Sequence, residues 1–195
     1  MQALLLDMDG VVVTGEDFAD CLKRDLGLTR EDTKDFFTGV FRDCQMGKAD
    51  LKKKIAPYLS TWGWKKSVDE FLEYWFTSHS RTDEQLLRYV QELRAKKTLC
   101  YLVGNQEKYR AEYLGEVLGL RKSFDGVFVS AEVGYLKEDQ RFFEHVLREL
   151  RLPPAAVLHF DDSERCVASA QAAGIRAHLY TGYQDFVQET ENFVS

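Results

Sequence analysis

Four short polar clusters in this chain have residue types and spacings that could do chemistry. The first is Asp7-Met8-Asp9-Gly10, which closes the apolar run 3–6. Residues two apart in an extended segment project to the same side, and carboxylates held roughly 4–6 Å apart repel unless a cation lies between them. A hard divalent ion such as Mg2+ meets that need, because it takes a few carboxylate oxygens and completes its shell with water or phosphate. Gly10 would let the chain turn sharply past the ion. A solvated turn at a strand end accounts for the same four residues, since Asp and Gly favour turns anywhere. The second cluster, His159-Phe160-Asp161-Asp162-Ser163, sets two adjacent acids after another apolar run. Such acids are costly unless they reach solvent or a metal; the competing reading is an N-cap, by Asp162 or Ser163, for a helix beginning near Glu164. Lys137, in Gly134-Tyr135-Leu136-Lys137-Glu138-Asp139, could neutralise a phosphoryl group and tether the carboxylates, or simply be a solvated loop cation. Gly104-Asn105 closes a further apolar run, where backbone amides could cradle an anion; a plain turn fits equally well.

The elements that must position these clusters are readable from the hydrophobic pattern. Runs 3–7, 98–103, 126–130, 157–160 and 175–180 are short, continuous and β-prone, as suits strands buried on both faces of a parallel sheet. Helical stripes separate them: Leu86, Leu87, Val90 and Leu93; Tyr109, Tyr113, Val117 and Leu120; Phe142, Phe143, Val146, Leu147 and Leu150; Val167, Ala170 and Ala173. Strand alternating with helix is the pattern of a doubly wound sheet, in which functional groups gather at the carboxyl ends of the strands. The four clusters follow the first four strands, one each. Independent turns would not be expected to deliver acids, an amide cradle, a lysine and more acids along one edge.

The stretch 14–81 breaks the alternation. It shows no convincing strand and at least four helical segments. Phe18, Cys21 and Leu22 begin one that Gly27 ends. Thr29-x-x-Asp32 resembles a capping box opening a helix with Phe36, Phe37, Val40 and Phe41. Leu51 and Ile55 mark a third, with Pro57 near its end, and Ser67-x-x-Glu70 caps a fourth carrying Val68, Phe71, Leu72 and Trp75. The expected fold is therefore α/β: a Rossmann-like three-layer core with a central parallel sheet, residues 1–14 and 82–195, and a small all-helical cap, 15–81, inserted after the first strand.

Composition bounds the rest. A formal charge of −6 over 195 residues argues against a nucleic-acid surface and against an anionic-membrane preference. No apolar run approaches the ~18–20 residues of a membrane span, and the N-terminus lacks the basic and apolar regions of a signal peptide. The four cysteines, Cys21, Cys44, Cys100 and Cys166, are too scattered for a zinc site or redox dithiol and read as buried reduced thiols of a cytoplasmic protein. None of the four histidines has metal-ligand spacing to another, and His159 reads as a satisfied strand histidine.

Taken together, these motifs resemble those of the haloacid dehalogenase-like hydrolases, a superfamily dominated by phosphatases. Asp7-Met8-Asp9-Gly10-Val11-Val12 looks like its first motif, Val103-Gly104-Asn105-Gln106 stands at its second, Gly134-Tyr135-Leu136-Lys137 at its third and Phe160-Asp161-Asp162-Ser163 at its fourth. The helical insertion is similar to that family's small cap, and the nearest subgroup by appearance is the capped sugar-phosphate-type phosphatases. The resemblance implies hydrolysis of a small phosphorylated metabolite. Asp7 would be the nucleophile that forms an aspartyl-phosphate. Asp9 would be general acid and then base. Lys137 would balance charge. Mg2+ would be held by Asp7, the backbone carbonyl of Asp9 and Asp162, with Asp161 acting largely through water. An acid/base at position 9 implies phosphoryl transfer and not dehalogenation.

Two departures qualify the match. Gly104 stands where the family presents Ser or Thr to phosphate, leaving the Asn105 amide and side chain for that task. The missing hydrogen bond is worth roughly 1.5–3 kcal/mol. It motivates a second reading, a phosphate-binding or regulatory relative with weakened catalysis; a phosphotransferase or mutase is a third. Glu138 replaces a frequent proline, with little effect expected. In the cap, the aromatic residues Phe36, Phe37, Phe41, Trp62, Trp64, Tyr74, Trp75 and Phe76 read mostly as core. Trp62 or Trp64 could face substrate or a partner subunit, and Phe41, Cys44, Gln45 and Met46 could overhang the site.

Overall fold

The computed structural model describes residues 2–78 and 80–194. The chain begins with β1 (Ala3–Asp7) and a two-residue strand β2 (Val13–Thr14). Five helices follow: α1 (Phe18–Leu26), α2 (Arg30–Lys34), α3 (Phe41–Gln45), α4 (Leu51–Thr61) and α5 (Val68–Ser78). Then come β3 (Arg81–Thr82), α6 (Glu84–Ala95), β4 (Leu99–Gly104), α7 (Lys108–Glu112), α8 (Leu120–Ser123), β5 (Gly126–Val129), α9 (Ser130–Val133) and α10 (Gln140–Leu150). The chain closes with β6 (Val157–Asp161), α11 (Glu164–Ala172), β7 (Arg176–Leu179) and α12 (Tyr183–Val194).

Five strands form one parallel sheet in the order β5-β4-β1-β6-β7. Strand β1, apolar up to its terminal Asp7, lies at its centre, where every side chain is buried. Strand alternation divides it between two cores. Leu4 and Leu6 join Leu86, Val90 and Leu93 of α6 and Phe186 of α12. Ala3 and Leu5 join Phe142, Phe143 and Val146 of α10 and Ala170 of α11. This is the three-layer α/β core expected, with each strand within about two residues of its predicted limits.

Helices α1–α5 surround a separate aromatic cluster that includes Phe18, Phe36, Trp62, Phe71 and Trp75. Both expected capping boxes are present: Thr29 with Asp32, and Ser67 with Glu70. Three features differ from the sequence expectation. First, α4 runs four residues past Pro57. The apolar face formed by Leu51, Ile55 and Leu59 holds the helix through the lost backbone bond. Second, residues Asp35–Val40 wind as a π-helix between α2 and α3. Third, the ends of the insertion do contain strand. β2 and β3 pair antiparallel, Val13 opposite Thr82 and Thr14 opposite Arg81, and Asp83 N–H donates to the Val12 carbonyl at 2.9 Å. No helix among the described residues is long and apolar enough to cross a membrane. The four cysteines are buried and free.

Candidate active site

The two central strands end in acids. Asp7 is the last residue of β1 and Asp161 the last of β6, so parallel pairing in register sets them side by side at one edge. Lys137 reaches them from the loop before α10. Its Nζ donates to Asp161 Oδ2 at 2.7 Å and lies in tight contact with Asp7 Oδ1. All three are nearly sealed from solvent, with 3%, 0% and 5% exposure for Lys137, Asp161 and Asp7. Backbone amides complete the shell: Met8 N–H donates to Asp7 Oδ1 at 2.7 Å, and Ser163 N–H to Asp161 Oδ1 at 3.0 Å. Lys137 is thus no solvated loop residue. The N-cap reading of the second acid pair is met only by position: Ser163 caps α11 without a side-chain hydrogen bond.

His159 is satisfied in the strand, as expected, and it also touches the site. Its Nδ1 lies 3.1 Å from the Leu5 carbonyl and its Nε2 3.2 Å from Asp161 Oδ2. Burial holds its pKa below the ordinary value against the pull of Asp161.

Three carboxylates here face one ammonium. Burial pushes Asp7 well above the usual carboxylate range, with Asp161 adding to the rise and Lys137 opposing it. Burial and the neighbouring Asp161 raise Asp162 as well. Asp161 is the exception: burial would raise it, but His159 and Lys137 together hold it low. Burial likewise works against the charge on Lys137, and Asp7 and Asp161 more than reverse that. Raised acids in a cleft mark a place where negative charge awaits a partner.

That partner fits a hard divalent cation. Asp7, Asp161 and Asp162 each offer an oxygen, all within 4.8 Å of one another, and an all-oxygen donor set suits Mg2+. Gly10 has φ +84°, and a Cβ built there would sit 2.0 Å from Asp162 Oδ2. Only glycine therefore lets Asp162 turn inward. Gly10→Ala is expected to raise the Mg2+ concentration for half-maximal activity by roughly 10–100-fold, the usual scale for disturbing a ligand's support. A Mg2+ titration of the variant checks this.

Asp9 stands apart from the trio. It lines the same cleft as Asp7, as the two-residue spacing predicts. Beyond Asp7, however, the backbone leaves the strand and turns, Val13 N–H donating to the Met8 carbonyl at 2.7 Å, and the Asp9 carboxylate is not one of the three that converge within 4.8 Å. Arg110 Nη2 donates to Asp9 Oδ1 at 2.7 Å and Gln106 Nε2 to Asp9 Oδ2 at 2.5 Å. Arg110 is itself buried and also donates to Ser80 Oγ at 3.1 Å. Sequence reading missed Arg110 and gave Gln106 no role. Gln106 lies in the loop before the helix and Arg110 inside it, so no helical spacing local to the segment pairs them.

Two expectations for the second and third motifs need correction. The Asn105 side chain does not stand open for phosphate: its Oδ1 accepts from Lys137 N–H at 2.8 Å, and its Nδ2 donates to Glu138 Oε2 at 2.8 Å. Asn105 thus positions the lysine loop, and Glu138, expected to matter little, is its anchor. At Gly104, a Cβ would lie 2.8 Å from Met8 Sδ and 3.1 Å from Met8 Cγ. Met8 is fully buried, so its thioether fills the space where a hydroxyl-bearing residue would begin. Gly104→Ser is expected to destabilise the protein by about 1–3 kcal/mol through overpacking. Combining it with Met8→Ala should cost at least about 1 kcal/mol less than the two single changes added, because they share one space. Urea denaturation of the four proteins measures both quantities.

The helical insertion closes over this edge. Gln45 Nε2 donates to the Asn105 carbonyl at 2.9 Å, and Ser130 Oγ to the Gln45 carbonyl at 2.6 Å. Of the four residues expected to overhang the site, Phe41 and Gln45 line the cavities beside it and Cys44 and Met46 do not, and neither do Trp62 and Trp64. Trp62 is cap core, and Trp64 donates its ring N–H to the Ser67 carbonyl. A cleft of about 590 Å³ lies over Asp7, Lys137 and Asp162. A second cavity of about 560 Å³ extends from Asp9 into the insertion between Phe37, Phe41 and Trp75. Asp9, Gln45, Asn105 and Gln106 border both.

Known proteins share this fold. A solved haloacid dehalogenase family enzyme from Bacteroides thetaiotaomicron superposes with a TM-score of 0.80 at 18% identity, over 94% of this chain and 95% of that one. The same wild-type enzyme, solved as a complex with magnesium and inorganic phosphate, gives 0.79 at 19% identity over 94% and 96%. Likeness at this identity is likeness of fold. Among sequence relatives, a sesquiterpene phosphatase of Aspergillus oryzae is 32% identical over 95 residues, 49% of this chain and 48% of the relative; the chain spans about half of that protein. A D-ribitol-5-phosphate phosphatase of Bacteroides thetaiotaomicron is 23% identical over 196 residues, 95% of each chain. A family model described as haloacid dehalogenase-like hydrolase matches residues 1–174. All four motif clusters fall inside that match and only β7 and α12 lie beyond it: this chain belongs to the haloacid dehalogenase-like hydrolases.

Proposed function

We propose that the protein is a Mg2+-dependent phosphohydrolase that cleaves a small phosphomonoester through an aspartyl-phosphate on Asp7. The observation that carries this reading is the buried Lys137 joined to Asp7 and Asp161 beside Asp162. Such a site is too acidic to take a phosphate dianion on its own and becomes complementary to one when a divalent cation joins it. Asp7, Asp161, Asp162 and the Asp9 backbone carbonyl are the groups that would hold Mg2+, which supplies neutralisation of phosphate oxygens facing an anionic nucleophile.

An oxygen of Asp7 attacks phosphorus in line, the ester P–O bond breaks, and the departing oxygen takes a proton from Asp9. Asp9, now ionised, removes a proton from water; that water attacks phosphorus and the bond to Asp7 breaks, releasing phosphate. Lys137 stays protonated throughout and offsets charge on the phosphoryl oxygens. Asn105 and Glu138 hold its loop, and Asp161 holds its ammonium. Arg110 and Gln106 hold the Asp9 carboxyl in place for both transfers.

Both phosphatase relatives act, by name, on phosphate esters, one of a terpene and one of a sugar alcohol. They support the phosphate half of the substrate and leave the alcohol to be read from the cavity. The test is phosphate release from a panel of phosphomonoesters with and without Mg2+. Release that requires the metal supports the reading; a folded protein that binds Mg2+ and releases phosphate from none of them overturns it.

A further inference from the structure

We propose that the alcohol half of the substrate is apolar, a medium-length aliphatic or aromatic alcohol carried as its phosphate monoester. This inference rests on the phosphohydrolase reading. Asp9 borders both the cleft over Asp7 and the 560 Å³ cavity, so a group bonded to the departing oxygen has that cavity beside it. Its volume is that of a pocket able to enclose a whole small molecule.

Four rings, Phe18, Phe37, Phe41 and Trp75, line the cavity. Trp75 stacks on Phe18 at 4.9 Å, meets Phe37 edge-on at 5.4 Å and packs against Phe41 at 5.3 Å. This wall is therefore preformed. The π-helical turn Asp35–Val40 contributes to it: Phe36 is buried in the helical core while its neighbour Phe37 faces the cavity. Irregular turns of this kind recur at functional sites.

The polar groups around the rings already have partners. Thr38 Oγ1 donates to the Lys34 carbonyl at 2.9 Å, and Thr33 Oγ1 lies 3.3 Å from the Thr29 carbonyl. Gln45 Nε2 is committed to Asn105 and Arg30 to Asp17, while Arg110 and Gln106 hold Asp9. A polyol placed here would surrender water from each hydroxyl and find the surrounding donors engaged, at roughly tenfold in affinity per unpaired hydroxyl. An alkyl or aryl group loses nothing and gains contact with four rings.

The experiment compares kcat/KM for butyl, hexyl and octyl phosphate, below their aggregation concentrations, with glycerol 1-phosphate and ribitol 5-phosphate. A rise of roughly threefold to fourfold per methylene, the yield of one buried methylene, with the polyol esters at least tenfold below octyl phosphate, is the expected result. In Phe41→Asn the ratio of octyl to butyl phosphate should fall at least fivefold, a readout that a general loss of folded protein would not move. Higher kcat/KM for the polyol esters, or no dependence on chain length, overturns the inference and leaves the phosphohydrolase reading intact. If no ester is hydrolysed, that reading falls, and calorimetric binding of octyl phosphate against glycerol 1-phosphate, with Mg2+ present, judges the cavity by itself.

Discussion

Asp7→Asn is expected to remove Mg2+-dependent phosphate release by about 10⁴-fold or more, the scale on which loss of a covalent nucleophile is felt. The amide keeps the volume and the Met8 N–H bond but cannot attack phosphorus. Asp9→Asn should behave differently, and the contrast is the stronger test. An alkyl ester needs its leaving oxygen protonated, whereas 4-nitrophenolate departs without help. With 4-nitrophenyl phosphate, Asp9→Asn should retain the first half-reaction and fail in the second, where a base must activate water. The outcome is a burst of one nitrophenolate per protein followed by a steady rate roughly 10²–10⁴ lower. Rapid-mixing absorbance reads the burst directly. A full steady rate in Asp9→Asn, or a burst in Asp7→Asn, would contradict the assigned roles.

Lys137→Met should produce the largest change in stability. The substitution keeps an unbranched chain of similar length and deletes the ammonium, leaving Asp7 and Asp161 buried without their shared countercharge. Breaking a buried pair by removing one partner typically costs 3–5 kcal/mol, which is a large part of a domain's net stability. The loss should depend on pH. Asp7 already lies well above the ordinary carboxylate range with the lysine present, and Asp161 loses one of the two partners that hold it low. In the variant the folded protein binds protons more readily than the unfolded chain, so the deficit shrinks as pH falls from 8 towards 5. Saturating Mg2+ should restore part of it at pH 8 by supplying the missing positive charge. Urea titrations of both proteins at several pH values, with and without Mg2+, test this; a deficit independent of pH and of metal would mean that Lys137 acts mainly through packing.

The parts legible in the sequence share a physical cause. A strand buried on both faces must be apolar throughout, so the run 3–6 announces β1, and the two acids that break such runs at Asp7 and Asp161 are conspicuous because burial makes them costly. Capping boxes are local and were equally plain at Thr29 and Ser67. What escaped is long-range or irregular. Arg110 meets Asp9 across 101 residues of chain, and nothing local to a helical arginine announces such a partner. The Asn105 clasp on the Lys137 loop has the same character. The ribbon of β2 and β3 is two residues per strand, too short to show a period of two. Phe37 faces the cavity because a π turn interrupts the helical phase. Helical spacing read Phe37 as one of several core aromatics, whereas it packs on that core and also lines the cavity.

That same ribbon has a consequence for how such a protein can change. The chain enters the insertion through β2 and leaves it through β3, and Val13 and Thr82 are paired neighbours there, one strand spacing of about 4.8 Å apart. Seen from the ribbon, a largely helical insertion of more than sixty residues occupies the place of a hairpin loop. Their ends meet whatever lies between them, which is the geometry in which insertions are accepted with little strain. The aromatic chamber could then be exchanged or resized as a module while the acids on β1 and β6 keep their register, so the repertoire of alcohols and the machinery of phosphoryl transfer are free to evolve on separate clocks.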